Sequence, residues 1–263
     1  MPSFSPIHIN PECCSIDEVI DQLGCIIDWA EAENSCLGYF PALYQAVTIR
    51  VAKGIKMQRF ADGGGMERLD VVFANRYFQA LDLYLRGEQP TESWKIAFDQ
   101  GQEDGLIVLQ HLLLGINAHI NLDLGLATAK IAKERGSLER VEGDFLEINK
   151  LLREMTNQVQ GRLNGFSLIW KSVDFMLGKT DELLANFSLK QARQYAWKLA
   201  EEAYLQPDPY APHFIRKQDQ EAKAFSQLIL RPPNLTIWAG MKIMGKISFN
   251  EARNVIQELR KPY

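Results

Sequence analysis

The residues of this sequence that could do chemistry concentrate in one apolar stretch. His119 and Asp123 lie within the segment HINLDLG. On a helix, residues four positions apart share a face, so these two side chains can converge on one point. Imidazole and carboxylate groups suit zinc, iron or manganese. One hypothesis is therefore a divalent metal site that uses His119 and Asp123.

A metal site at this pair would need ligands from a second helix. His111 falls within the same arc of roughly 120°, but it lies about 12 Å along the axis from His119, too far to bind the same ion. Helix bundles often build metal sites from facing helices. Candidate ligands share a face of roughly 80° on another predicted helix: Glu67, Asp70 and Tyr77. The paired Glu and Glu-x-x-His pattern of di-iron carboxylate bundles is missing from the sequence.

A second polar stripe lies on nearly the opposite side of the same helix. Gln110, Asn117 and Asn121 fall within roughly 40° of one another. Buried polar groups cost free energy unless they find partners. We therefore expect Asn117 and Asn121 to lie inside the protein with their amides bonded.

Two further interpretations of these polar residues stay open beside the metal site. In the first, buried His, Asn, Asp and Arg side chains bond one another in a structural network that fixes the register of the helices. In the second, the cluster lines a metal-free catalytic or ligand pocket, for example for an apolar small molecule between helices. The sequence identifies no reaction or substrate, so whether the protein is an enzyme stays open.

The element that must position these side chains is a helix at about 106–133. It is about 28 residues long without a proline, and a helix of that length spans roughly 42 Å. It is apolar on most sides, which is typical of a helix buried within a larger domain. Gly115 lies on the histidine face, where a missing side chain leaves room for a neighbouring helix or ligand.

The remaining chain predicts an all-α protein with a single domain over residues 1–263 and an irregular arm at 1–14. Alternating strand patterns, internal repeats and long linkers are all missing from the sequence. Besides the central helix, we predict helices at about 16–33, 41–59, 66–86, 92–100, 138–163, 166–177, 180–205, 212–230, 235–244 and 248–261.

Composition and charge indicate which partners and which cellular compartment to expect. The chain of 263 residues has 29 basic and 33 acidic residues, a formal charge of −4, which disfavours a nucleic-acid binder. The four cysteines lie within the first 36 residues and form no CxxC pair, which favours reduced thiols. The sequence begins without a signal-peptide pattern, and its most apolar stretch carries polar residues unsuited to lipid. We expect a cytoplasmic protein without membrane contact, and a homo-oligomer is possible.

Two local motifs favour packing over ligand binding. The run Ala61–Gly65 resembles a glycine-rich phosphate loop, but the neighbouring acids Asp62 and Glu67 would repel an anion. We interpret it as a tight turn before a helix whose N-terminus acidic residues stabilise. Arg193 and Trp197, four apart, can stack as a cation–π pair, which we favour over an alternative in which Arg193 reaches into the central polar cluster.

Three stretches together resemble a known family. They are MERLDVVFANRYFQALD at 66–82, VLQHLLLGINAHINLDLGLA at 108–127 and NFSLKQARQYAWKLA at 186–200. The similarity is to a family of bacterial proteins known only as a domain of unknown function, and it covers about residues 38–205. The resemblance implies an all-helical cytosolic protein. It supplies no activity and therefore no catalytic residues.

Overall fold

The computed structural model describes residues 7–100, 105–148, 150–151, 189–233, 238–239, 241–242 and 251–261. These residues form an all-α, multi-helix fold and include no strand, which confirms the predicted fold class. We label the helices α1 Ile16–Ala32, α2 Tyr39–Lys56, α3 Gly63–Leu85, α4 Glu92–Gln100, α5 Val108–Ala118, α6 Gly125–Arg135, α7 139–148, α8 Leu189–Tyr204, α9 Pro212–Leu230 and α10 Ala252–Leu259. The single domain over the whole chain stays a prediction.

The central helix runs without a break from Val108 to Arg135, but it is not α-helical throughout. A π-helical turn at His119–Leu124 separates α5 from α6. Such a turn inserts about one extra residue, which offsets the face of α6 by about 100° from that of a continuous α-helix. The helix ends where Gly136 adopts a φ of 88°, a left-handed conformation that a residue without Cβ adopts readily.

The central helix lies between two groups of helices. Its first half packs against α2, α4 and α9, and its second half packs against α3 and α8. The largest apolar cluster joins α1, α2, α3 and α4 to the central helix. Smaller clusters seal α5 against α9 through Leu113 and Ile229, and α6 against α8 through Leu126 and Leu199. Polar groups along this helix are therefore removed from water on most sides.

Two glycines let neighbours approach the central helix closely. A Cβ on Gly115 would stand 2.7 Å from the ring of Phe40, which confirms that this position leaves room for a neighbouring helix. A Cβ on Gly125 would stand 2.8 Å from the carbonyl oxygen of Ala196 in α8. Both distances are shorter than real Cβ contacts, so packing requires glycine at both positions.

The start of α3 differs from the prediction. The three glycines were expected to form a turn before a helix beginning at about residue 66, but the helix begins at Gly63. Asp62 is the N-cap, and its side chain accepts a hydrogen bond from the Gly65 N–H at 2.8 Å. Arg135 pairs with the same carboxylate, and a Cβ on Gly65 would collide with both groups. The acidic cap was predicted correctly, but the extent of the turn was wrong.

The other predicted boundaries lie close to the observed ones where the structure describes them. The helix at about 212–230 is confirmed as α9, Pro212–Leu230. The helix predicted at 166–177 lies outside the described residues, as do the end of the helix predicted at 138–163 and the start of the one predicted at 180–205. The end predicted at 205 lies close to the observed end at Tyr204. Residues 7–14 of the arm are irregular, and Asn75 holds them on α3 through its bonds with the backbone of Cys13, at 3.0 Å and 2.9 Å.

Candidate functional site

Asp123, in the π-helical turn, is the most heavily bonded carboxylate on the central helix and is 1% exposed. Its Oδ1 accepts from Arg76 Nε at 2.7 Å. Its Oδ2 accepts from Trp94 Nε1 at 2.8 Å and lies 3.3 Å from His119 Nδ1. Burial alone would raise the pKa of Asp123, but the charge of Arg76 and these hydrogen bonds hold it below its usual value. The carboxylate is therefore ionised in the interior.

The donors to Asp123 come from three parts of the chain. Arg76 belongs to α3, and 13% of its side chain is exposed. Trp94 lies in the first turn of α4, which is held by Asp219 of α9. The carboxylate of Asp219 accepts the backbone N–H groups of Glu92 and Ser93, at 2.6 Å and 3.0 Å. π-Helical turns are rare and often occur at functional sites, so this junction of α3, α4 and the central helix is the candidate site.

His119 is 2% exposed and is enclosed by aromatic rings. Its ring stacks on Phe73 with centroids 3.5 Å apart, and the ring of Tyr44 meets it edge-on at 4.7 Å. Burial lowers the pKa of His119 below its ordinary value, so the ring is neutral near pH 7. Because the carboxylate of Asp123 can only accept, Nδ1 carries the proton. This assignment leaves Nε2 as a bare acceptor.

Three polar atoms at the contact of α2, α3 and the π-helical turn are buried and lack a hydrogen bond within the described part of the chain. They are Tyr44 Oη, Asp70 Oδ2 and His119 Nε2. Burial, with a contribution from the charge of Glu67, raises the pKa of Asp70 from 3.8 to about 7. Burial also raises the pKa of Tyr44, so this phenol keeps its proton. Unpaired atoms of this kind call for an explanation, because most buried polar groups are bonded.

The structure does not bring all the predicted metal ligands together. The ring of Tyr77 lies 6.2 Å from that of His119. The carboxylate of Glu67 instead accepts from the Ile16 N–H at the start of α1, at 3.2 Å. His111 packs edge-on against Tyr39 at 5.5 Å, and burial lowers its pKa to about 4. In the part of the chain that the structure describes, no three His, Cys, Asp or Glu side chains are grouped so that they could hold a metal ion.

The amide stripe bonds the central helix to α9. Asn117 is fully buried, and its Nδ2 donates to the Ala222 carbonyl at 2.7 Å and to Ser226 Oγ at 2.9 Å. Asn121, which is half-buried, donates to Asn117 Oδ1 at 2.7 Å. Gln110 Nε2 donates to the carbonyl of Ile229 at 3.0 Å. The prediction for Asn117 is confirmed, while Asn121 makes one bond and leaves its Oδ1 unpaired.

Sequence reasoning missed Arg76 and Trp94. The signal for Arg76 was an arginine within the apolar run VVFANRYFQAL, where a buried cation requires a counter-ion. The stacking predicted for Arg193 was wrong in its partner. The guanidinium lies over the ring of Phe145 at 4.3 Å, and the ring of Trp197 packs against Phe145 at 5.0 Å.

The fold and site define an all-α protein whose central helix holds a buried His–Asp–Arg–Trp cluster. A family model matches residues 16–232, which is most of the chain. The protein belongs to this family, the family of unknown function DUF5995. The resemblance to a domain of unknown function is thereby confirmed, over a longer range than the 38–205 expected. Comparisons with curated proteins and with solved structures give no match.

One described helix, Val108–Arg135, is long and apolar enough to cross a membrane. Of the 18 residues in its most apolar stretch, 83% are buried inside the protein. The core helices of soluble proteins have the same length and composition.

Proposed function

We propose that the protein is a non-enzymatic helical module and that the cluster around Asp123 is a structural network. The observation that supports this proposal is the saturation of Asp123, because protein donors occupy both of its oxygens. A carboxylate bound in this way has little capacity left for a metal ion or a substrate. Its bonds instead fix α3 and α4 against the π-helical turn.

The charges within the network balance. Asp123 is an anion, Arg76 is a cation and His119 is neutral, so the buried cluster has no net charge. Removing one partner of a buried ion pair leaves the other unpaired and costs about 3–5 kcal/mol. The network therefore makes one helix register strongly preferred over neighbouring registers, where these donors would be stranded.

One observation favours a second candidate, a small ligand or a zinc, iron or manganese ion. His119 Nε2 is a buried acceptor without a described partner, and Asp70 Oδ2 is also unpaired. A ligand or ion at His119 Nε2 would leave Asp123 to orient the imidazole from its other side. Metal content and sensitivity to chelator separate the two candidates.

The first experiment combines elemental analysis with thermal melting of untagged protein, with and without chelator. A structural network predicts protein without stoichiometric metal and a wild-type Tm that chelator does not change. His119→Ala should lower the Tm equally in both buffers, because Asp123 loses a partner in a dry interior. A bound metal would add about 4 kcal/mol when the free ion is at a thousand times its Kd. Stoichiometric metal, with chelator lowering the Tm of the wild type but not of His119→Ala, would overturn the proposal.

The second experiment is a double-mutant cycle across the ion pair. Asp123→Asn and Arg76→Gln should each destabilise by about 3–5 kcal/mol. The double variant should cost less than the sum, because neither charge is then left alone. Arg68→Gln, which breaks an exposed pair with Glu134, is the matched control and should cost at most about 1 kcal/mol. Additive effects of the two buried changes would contradict a structural pair.

A further inference from the structure

Arg193 in α8 is a buried cation without an anionic partner among the described residues. It is 3% exposed. Its Nη2 donates to the carbonyl oxygen of Phe145 at 2.8 Å, and its guanidinium lies 4.3 Å from the centroid of the Phe145 ring. Its Nε is buried and makes no hydrogen bond. Arg76, by contrast, has the carboxylate of Asp123.

An arrangement of this kind costs stability in the unliganded protein. A carbonyl oxygen and an aromatic ring stabilise a guanidinium less than a carboxylate does, and a buried unpaired charge is among the most costly features of a protein interior. Burial lowers the pKa of Arg193 to about 9, which still leaves the group charged near pH 7. An anion that reached Nε would therefore meet a desolvated donor with no competing partner.

Arg193 lines a cavity of about 620 Å³ between α7 and α8. This volume falls in the range of small-molecule pockets, which is about 300–1,000 Å³. Apolar side chains beside the arginine are Phe145, Leu146 and Trp197. Leu146 is 51% exposed, so its apolar side chain is accessible to a ligand in the cavity. The site thus combines one buried cation with an apolar wall.

The remaining lining residues select the charge of the ligand. Glu142, Glu201 and Lys198 also line the cavity, and Glu201 accepts from Trp197 Nε1 at 3.1 Å. These two carboxylates would repel a phosphate dianion more strongly than a single carboxylate. The guanidinium fork also matches a carboxylate in a planar, bidentate geometry.

We propose that the cavity between α7 and α8 binds a small monocarboxylate with an apolar or aromatic body. The carboxylate pairs with Arg193, and the apolar body packs on Phe145, Leu146 and Trp197. This site shares none of its residues with the cluster around Asp123, so a test of the site is independent of a test of the proposed function.

Octanoate and benzoate are suitable probes, with octanamide, benzamide and inorganic phosphate as controls. Binding to the full-length protein is measured by titration calorimetry and by the shift in Tm. We expect a carboxylate to bind and raise the Tm. The uncharged amides should bind at least roughly tenfold more weakly, because a charge-assisted hydrogen bond is lost. Phosphate should also bind at least roughly tenfold more weakly, because it lacks an apolar body and the two glutamates repel its second charge. Failure of both carboxylates to bind, or equal binding of acid and amide, would overturn the site.

Arg193→Met keeps the length of the side chain and removes its charge. It should weaken carboxylate binding roughly tenfold to a hundredfold. The matched control is Lys217→Met, which removes an exposed cation from α9, away from the residues that line the cavity, and should change the affinity by less than about twofold. Without probe, Arg193→Met should melt no lower than the wild type, since it removes an unpaired buried charge. A large loss of Tm would show that the chain itself supplies the counter-ion, and the proposal would then be wrong.

Discussion

Asp70→Asn should make the stability of this protein less dependent on pH. Asp70 is 5% exposed, its Oδ2 has no hydrogen bond within the described residues, and its pKa is raised from 3.8 to about 7 by burial and by Glu67. The folded state therefore holds the proton of Asp70 at pH values where the unfolded state has released it. Stability falls as pH rises from the unfolded pKa to the folded pKa, and the full penalty is present above pH 7.

The magnitude follows from the size of this shift. Between pH 5 and pH 7, each pH unit costs a little over 1 kcal/mol of stability through this one group. Between pH 5 and pH 8, the wild type should therefore lose about 3 kcal/mol that the asparagine variant keeps. The buried amide adds its own cost of about 1–3 kcal/mol, but this cost is the same at every pH. The difference between the two pH values isolates the carboxyl group.

The assay is urea unfolding of wild type and Asp70→Asn at pH 5, 6, 7 and 8. The stability of the variant relative to wild type should rise by about 3 kcal/mol across this range. Asp21→Asn makes the same change of charge at an exposed position of α1, and its relative stability should stay flat within about 0.5 kcal/mol. A flat profile for Asp70→Asn as well would show that Asp70 is ionised in the folded state, and the account of its environment would be refuted.

Packing at the central helix gives two further predictions. Asn117→Leu should lower the free energy of unfolding in urea by about 1–3 kcal/mol. It should cost more than Asn121→Leu, because it breaks three hydrogen bonds and Asn121→Leu breaks one. Equal costs would contradict these hydrogen bonds. Gly125→Ala should destabilise by about 1–3 kcal/mol because its Cβ would meet backbone, whereas Gly143→Ala, in α7 with open space around it, should stabilise by up to about 1 kcal/mol. A stabilising Gly125→Ala would show that α8 lies farther from the helix.

Local patterns were sufficient to predict most of the fold. The central helix was predictable because apolar residues cover most of its sides, and α9 because prolines and a long amphipathic pattern mark its limits. The start of α3 was predicted wrongly because three glycines favour a turn by local rules. Asp62 and Arg135 reverse that preference, since their contacts need the space that Gly65 leaves. Arg135 lies far along the chain, where local rules do not reach.

The candidate site was predictable only in part, for similar reasons. The side chains of His119 and Asp123 were expected to converge, and the structure places His119 Nδ1 3.3 Å from Asp123 Oδ2. The π-helical turn that holds them could not be predicted from the α-helical period of 3.6 residues per turn. Arg76 was missed because its role depends on how α3 crosses the central helix. Likewise, Arg193 was assigned the neighbour that is close in sequence, Trp197, although the ring beneath it belongs to Phe145 on another helix.

Arg76 and Arg193 show two opposite ways of placing a guanidinium inside this fold. Arg76 meets an ionised carboxylate that also holds two other donors, so its charge is neutralised within the chain. Arg193 meets a carbonyl oxygen and an aromatic ring, and a donor atom is left over. A ligand gains most where the protein has desolvated a charge without pairing it, because binding then adds an ion pair without the full cost of dehydrating the protein group. We therefore propose that the polar residues most visible in the sequence stabilise the fold, and that an anionic ligand would gain most beside Arg193, between α7 and α8.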